Sequence, residues 1–484
     1  MKTTRRMFAG LCAAAALPAA TKNPVLARAM ESLTAAIPRA ESDPARPVWH
    51  FRPPANWNND PNGTIFYKGW HHLFYQLNPY GAVWGHMHWG HARSLDLVNW
   101  EHLPIALGPS EEKGEEHIFS GGAILADDGR PRIFYTSIGK RDPEQWMAIP
   151  ADDDLIEWEK HPRNPILTLK IHGDHQVADW RDPFLFREGG KTHMVCGGNA
   201  YNRMRGGGGE VQLYEATRGD LSEWRYRGVV FRERNAELVN IECPNLFKVG
   251  ARWVLLDSPH KPCEYFVGDL DLDRARFTPD AHGVLDPGTS YASNISYDDK
   301  GRCILWLWGR TATDPVKGWN SCMAMPRILS IDAAGFLRQQ PAPEFASLRG
   351  VVETVAAADL GEKAAVIARG DTMEIEALLR SQSAAAVGLR VRGLEIAWNP
   401  RDGVLSAGKA QKLVGREQPL RLRVFLDRRV LEVYVNDGAA AIFTTVDAGD
   451  PKVEAFARGG RARLESCRVW PLRPARLSLE HFKV

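Results

Sequence analysis

Cysteine is scarce in this chain, with seven in 484 residues and no C-x-x-C pair among them. That excludes a zinc knuckle and a redox dithiol, and a chain of this length buries enough apolar surface to fold without a disulfide framework. An excess of one charge is missing too. Sixty-one basic against 59 acidic side chains leave a net +2, so there is no basic stripe for nucleic acid and a neutral substrate is the default. The apolar stretch Ala9 to Ala20 is too short to cross a bilayer. Helical periodicity is rare as well. Short alternating apolar runs dominate, broken by 43 glycines and 31 prolines, which is the profile of a β-rich protein.

What the chain does carry begins with Thr4-Arg5-Arg6-Met7-Phe8, a twin-arginine pattern ahead of the small apolar stretch. Residues 1–30 therefore read as an export signal, cleaved after Ala20 or Ala29, with residues 31–45 as a linker. A periplasmic or extracellular bacterial protein follows, with no membrane insertion after export. Further on, a Leu-x-x-Trp phrase recurs at Leu97–Trp100, Leu155–Trp158 and Leu221–Trp224, with a degenerate copy over Asp271–Phe277 and a last unit around Cys303–Leu337. Five units of several short strands fit the blades of a β-propeller over residues 46–345, because radial repetition protects sheet edges. Composition shifts near Pro341–Arg349, and only Trp398 and Trp470 of the 16 tryptophans lie beyond it. Residues 351–475 read as a β-sandwich, with alternating strands at Leu420–Asp427 and Val430–Asn436, and 476–484 as a tail.

Three acids stand out. Asp60 lies in Asn56-Trp57-Asn58-Asn59-Asp60-Pro61-Asn62-Gly63, whose composition is that of a rigid turn leading into a strand. Asp182 lies in Trp180-Arg181-Asp182-Pro183 and Glu242 in Ile241-Glu242-Cys243-Pro244, each followed by an apolar strand. The innermost strand of each blade faces the central channel, so acids from different blades can converge at one end of it. Two carboxyl groups suffice to cleave a glycosidic bond, one as nucleophile or base and one as proton donor. A third beside Arg181 should stay ionised and bind hydroxyls. Gly206–Gly209 has no Lys-Ser/Thr after it and reads as a turn, not a phosphate loop. His86, His88 and His91 lack the further ligands a metal would need, so neither metal nor cofactor is expected.

These phrases resemble the signature motifs of glycoside hydrolase family 32, the invertase, inulinase and levanase group. Phe74–Pro79, Trp84–His91, Phe119-Ser120-Gly121, Gly318–Cys322 and Glu432–Gly438 are similar as well, so the likeness spans roughly residues 46–475. It implies a five-bladed propeller with a sandwich appended and retaining hydrolysis of β-fructofuranosides. By the same resemblance Asp60 is the nucleophile, Glu242 the acid and base, and Asp182 with Arg181 the holder of fructose hydroxyls. Asn59, Gln76, Trp84, Phe119, Ser120 and Trp319 match the fructosyl pocket, Trp57 joins its wall, and Cys243 is placed to tune the acid beside it. Asn58 departs from the methionine usual before the Asn-Asp pair. Two other readings remain: an inverting propeller glycosidase on arabinose or xylose chains, and a catalytically silent sugar-binding propeller.

Overall fold

A computed structural model describes residues 23–200, 208–235, 238 and 240–482. Its first five sheets are the blades of a propeller. Blade I comprises β1 (Asn56–Tyr67), β2 (Trp70–Asn78), β3 (His88–Ser94) and β4 (Trp100–Leu107). Blade II comprises β5 (Glu115–Leu125), β6 (Pro131–Gly139), β7 (Glu144–Pro150) and β8 (Trp158–Lys160). Blade III follows with β9 (Val177–Glu188), β10 (Lys191–Ala200), β11 (Gly209–Ala216) and β12 (Trp224–Arg232). In blade IV the strands are β13 (Glu242–Val249), β14 (Arg252–Ser258), β15 (Glu264–Asp271) and β16 (Arg276–Val284). Blade V holds β17 (Ser290–Tyr297) and β18 (Cys303–Gly309), the short β19 (Trp319–Asn320) and β20 (Cys322–Met323) from its loop, then β21 (Arg327–Ile331) and β22 (Leu337–Pro341). The inner strands β1, β5, β9, β13 and β17 pack neighbour on neighbour in a closed ring.

The Leu-x-x-Trp phrase has a local cause. Leu97, Leu155 and Leu221 each take a positive φ, of 65°, 61° and 64°, turning the chain into the outermost strand of its blade. The indole N–H of Trp100, Trp158 and Trp224 closes each turn by donating to that leucine's carbonyl. Just upstream, Asp96, Asp152 and Asp220 accept backbone N–H groups of the same turns. Each turn is thus satisfied within itself.

Beyond the propeller lies a sandwich. One sheet runs Glu353–Val355, Ala462–Pro471, Thr372–Ser381, Leu420–Asp427, Val430–Val435 and Ala440–Thr445 in spatial order. The facing sheet runs Ala365–Arg369, Lys452–Arg458, Ala386–Val391, Leu394–Asn399, Val404–Ala407 and Ala410–Leu413. Inward residues such as Ile375, Val387, Trp398, Leu431 and Val433 fill the space between them. The sandwich is fused to the propeller by a shared apolar layer in which Phe425 and Tyr434 meet Trp49 and Trp306. A wholly buried ionic cluster crosses the same boundary: Arg327 bridges Asp286 (2.8 Å) and Glu432 (3.2 Å), and His50 bridges Asp427 (2.9 Å) and Glu432 (3.3 Å).

Three expectations are corrected here. Most of the supposed linker at 31–45 is helix, because α1 spans Pro24–Glu41, capped by the Asn23 side chain and burying Ala29, Met30, Leu33 and Ala40. Its C-terminal end holds the ring closed. There Arg39 donates to Val316 O (2.7 Å), Asp43 accepts from Trp319 Nε1 (2.9 Å), and β19 pairs in parallel with β1. The Asn56–Gly63 run is not a turn before a strand, since it lies within β1. Nor does the end of the chain trail away: Leu477–Ser478 pairs in parallel with Trp100–Glu101, and Phe482 is buried. Arg5, Arg6 and the stretch to Ala20 lie outside the described residues, as do Gly206 and Gly207.

Candidate active site

All five inner strands break register at the same level of the propeller. In β1, Asn59 and Asp60 together oppose Gln76; in β5, Phe119 and Ser120 oppose Thr136. Asp182-Pro183 of β9 opposes Cys196, and Cys243-Pro244 of β13 opposes Asp257. In β17 the extra residue is Ala292. Such bulges bend a strand and re-aim its side chains. Proline suits them because a bulge leaves one N–H without a ladder partner, which explains why an acid, or an acid and one residue, precedes Pro61, Pro183 and Pro244. Asp182, Cys243 and Ala292 carry the strain as positive φ values of 61°, 46° and 47°. Next to the second bulge only glycine fits, since a Cβ on Gly121 would meet Phe134 O at 1.9 Å.

The bulges point into one pocket of about 320 Å³. Blade I lines it with Asn59, Asp60, Gln76 and Trp84, blade II with Phe119 and Ser120, blade III with Arg181 and Asp182, and blade IV with Glu242. Asp60 is gripped. Ser120 Oγ donates to its Oδ2 at 2.5 Å and Asn59 Nδ2 to its Oδ1 at 3.0 Å. Gln76 backs Ser120 (3.3 Å) and the Trp57 indole fixes Asn59 (2.7 Å). Asp60 keeps only a small surface open to the pocket, and this burial pushes its carboxyl above the ordinary value, with the Glu242 charge adding to the rise and the Ser120 and Asn59 donors opposing it.

Asp182 is more enclosed. It accepts from the Cys243 backbone N–H at 2.9 Å, and its own N–H is held by Thr136 Oγ1 at 2.9 Å. Burial pushes its carboxyl up to about 7, reinforced by Glu242 and Asp60 and opposed by Arg181. The expectation that Arg181 keeps Asp182 ionised is therefore corrected, because burial outweighs one nearby cation. Arg181 instead pairs with Glu242 Oε1 at 3.2 Å. On its other oxygen, Oε2, Glu242 accepts the Tyr291 hydroxyl at 2.8 Å.

Cys243 is placed differently from what its neighbour suggested. Its Sγ lies 3.6 Å from Asp60 Oδ2 and 3.6 Å from Asp182 Oδ2, so the thiol bridges those two acids. Burial, with the three carboxylates adding, raises that thiol well above its usual range and keeps it a donor. Trp57 is half-buried behind Asn59, edge-on to Trp308 at 5.6 Å. Trp319 does not reach the pocket, because its indole is spent on Asp43 in the ring closure. Met87, Tyr291 and Trp308 complete the lining and were missed from the sequence. Tyr291 sits where blade V presents its bulge, but no acid or proline marks that position. His86, His88 and His91 serve local structure: His88 Nδ1 bonds His86 O (2.6 Å), and His91 stacks on Phe74 and bonds His72 (3.1 Å). Among the described residues no group of three or more His, Cys, Asp or Glu is arranged to hold a metal ion.

Residues 50–341 match the model of the glycosyl hydrolases family 32 N-terminal domain, and residues 344–471 match that of the family 32 C terminal domain. The chain is 31% identical over 436 residues to a beta-fructofuranosidase, insoluble isoenzyme, of Arabidopsis thaliana, covering 81% of this chain and 71% of that protein. It is 30% identical over 498 residues to a levanase of Bacillus subtilis, covering 88% and 70%. A solved structure of a Bombyx mori GH32 beta-fructofuranosidase superposes with a TM-score of 0.79 at 28% identity, covering 94% of this chain and 98% of that one.

Proposed function

The chain belongs to glycoside hydrolase family 32 and is a glycoside hydrolase acting on fructosides, and on that premise we propose that it releases fructose from sucrose and from inulin- or levan-type fructans by double displacement. The observation that carries this reading is that Asp60 and Glu242 share one pocket while differing in their partners. Asp60 meets neutral donors, Ser120, Asn59 and the Cys243 thiol, which leave an oxygen lone pair for attack on the anomeric carbon. Glu242 protonates the departing oxygen and then takes a proton from the water that frees the enzyme. Asp182 and Gln76 supply polar contacts for fructose hydroxyls, while Trp84 and Phe119 offer apolar faces to its C–H groups.

The chemistry is tested with methanol as acceptor, since free fructose loses its anomeric memory in solution. Retention gives methyl β-fructofuranoside, and the α anomer alone would move the assignment to an inverting enzyme. A product profile on inulin and levan then separates end-wise from internal attack, with free fructose and no fructo-oligosaccharides from the polymer marking end-wise attack, while sucrose gives glucose and fructose. The reading also includes export by the twin-arginine signal. Helix α1 begins at Pro24 and buries Ala29 in its second turn, so the reading takes cleavage after Ala20, and N-terminal sequencing of exported protein should begin at Thr21; a start at Met30 would contradict it.

A further inference from the structure

Beyond the residues that line the pocket, the side chain of His260 also reaches a reacting group. His260 lies on the loop between β14 and β15, and its Nε2 is 2.9 Å from Glu242 Oε1. That is the oxygen Arg181 also contacts, at 3.2 Å. The imidazole is 57% exposed against 22% for Glu242, so it meets the carboxyl from the solvent side and takes no part in lining the sugar pocket.

The loop holds this ring in place. His260 has a φ of 62°, a left-handed conformation that costs energy and persists only where its surroundings enforce it. Pro259 and Pro262 restrict the backbone on either side. Ser258 and Cys263 close the loop through their side chains at 3.3 Å, and the His260 N–H donates to the Tyr291 hydroxyl at 3.0 Å. That hydroxyl in turn lies 2.8 Å from Glu242 Oε2 and 2.7 Å from Ser258 O. Tyrosine has one hydroxyl proton for two acceptors. With Glu242 ionised, the proton points to Oε2; with Glu242 protonated, it turns to the Ser258 carbonyl. The network therefore has two complete arrangements, one for each protonation state of Glu242.

Resting on the reading of Glu242 as acid and base, we infer that His260 is a positioning residue that shares one proton with Glu242 and keeps that carboxyl supplied from solvent. In the first step the shared proton passes to the departing oxygen as its bond to the fructose carbon breaks and the Asp60 ester bond forms. In the second, water attacks that carbon, the ester bond breaks, and the water proton returns to the Glu242–His260 pair. Atoms and charge balance with water as the only co-reactant. The pair sits among other charged and titratable groups. Arg181 contacts Glu242, Lys261 is the next residue along the loop, Arg310 stacks over the Tyr291 ring at 5.0 Å, and the carboxyl groups of Asp182 and Asp60 lie across the pocket.

His260→Gln and His260→Ala test this beside wild type and Glu242→Ala, with sucrose and an activated aryl fructoside across pH. Glutamine keeps a donor for Glu242 but cannot carry the proton. Both His260 variants should lose roughly 10–100-fold in kcat/KM on sucrose above neutral pH, the scale of assisted proton transfer, and recover in acid where solvent protonates Glu242 directly. The aryl fructoside, which needs no proton on departure, should be unaffected. Full activity of His260→Gln at every pH, or equal losses on both substrates, overturns the inference. If Glu242→Ala itself loses both substrates equally, the fault lies in the acid and base assignment; if it spares the aryl fructoside while the His260 variants match wild type, only the role of His260 is refuted.

Discussion

Removing one hydroxyl, by Ser120→Ala, should move the acid limb of the reaction toward neutral pH. Ser120 Oγ makes the shortest contact to Asp60, 2.5 Å to Oδ2, while burial and the Glu242 charge both favour a protonated Asp60. A hydrogen bond to a charged group contributes roughly 1.5–3 kcal/mol, and at about 1.36 kcal/mol per pH unit this is a displacement of ~1–2 units. The sign follows from the charge. The donor stabilises only the ionised carboxyl, so its loss raises the Asp60 pKa further and the nucleophile is extinguished at a higher pH. The assay is kcat/KM for sucrose between pH 3 and 8, with Ser120→Cys as a variant that keeps a weaker donor and should fall between. An unmoved acid limb, or a loss uniform across pH, would refute the claim that this hydroxyl keeps the nucleophile ionised.

Asp182→Asn should abolish activity yet stabilise the fold at pH 8. In the folded chain the Asp182 carboxyl is pushed up to about 7, above its unfolded value, so between those two values the native state binds the extra proton and stability falls as pH rises. The amide escapes that cost; a gain of about 1–4 kcal/mol at pH 8 in urea unfolding, vanishing at pH 4, is expected. Glu432→Gln should lower stability by about 3–5 kcal/mol, because it strips one partner from the buried His50–Glu432–Arg327 cluster between propeller and sandwich. Calorimetry should show one cooperative transition at lower temperature, and an unchanged midpoint would deny the cluster a role in holding the two together.

Much of this was legible in the sequence because certain phrases are self-contained. Leu97–Trp100 and its copies recur since each indole closes onto its own leucine carbonyl, so the repeat survives as a string. The acids were visible because proline follows them, and proline marks the bulges that turn them inward. Their setting was misjudged all the same. Composition alone reads Asn56–Gly63 as a turn, and only pairing with β2 shows it to be a bulged strand. Tyr291 and Trp308 were missed because blade V has a bulge without an acid, and Met87 because it lies among aromatic residues that draw attention first. Trp319 was misplaced for a non-local reason: its partner, Asp43, lies 276 positions away in a stretch that read as linker. The His50, Asp286, Arg327, Asp427 and Glu432 cluster is likewise assembled from distant segments, each of which alone looks like an ordinary charged residue.

The central claim is that Asp60 becomes covalently bonded to fructose while Glu242 manages the proton. It is tested most directly by trapping that bond in Glu242→Ala, which retains the nucleophile but cannot assist water. An activated aryl fructoside is mixed with the variant, quenched rapidly in acid and digested, and the peptide containing Asp60 is analysed by mass spectrometry. The account predicts one fructosyl ester, on Asp60, that disappears on adding azide and yields β-fructosyl azide. An ester on Asp182, or turnover to α-fructosyl azide with no ester at all, would contradict it.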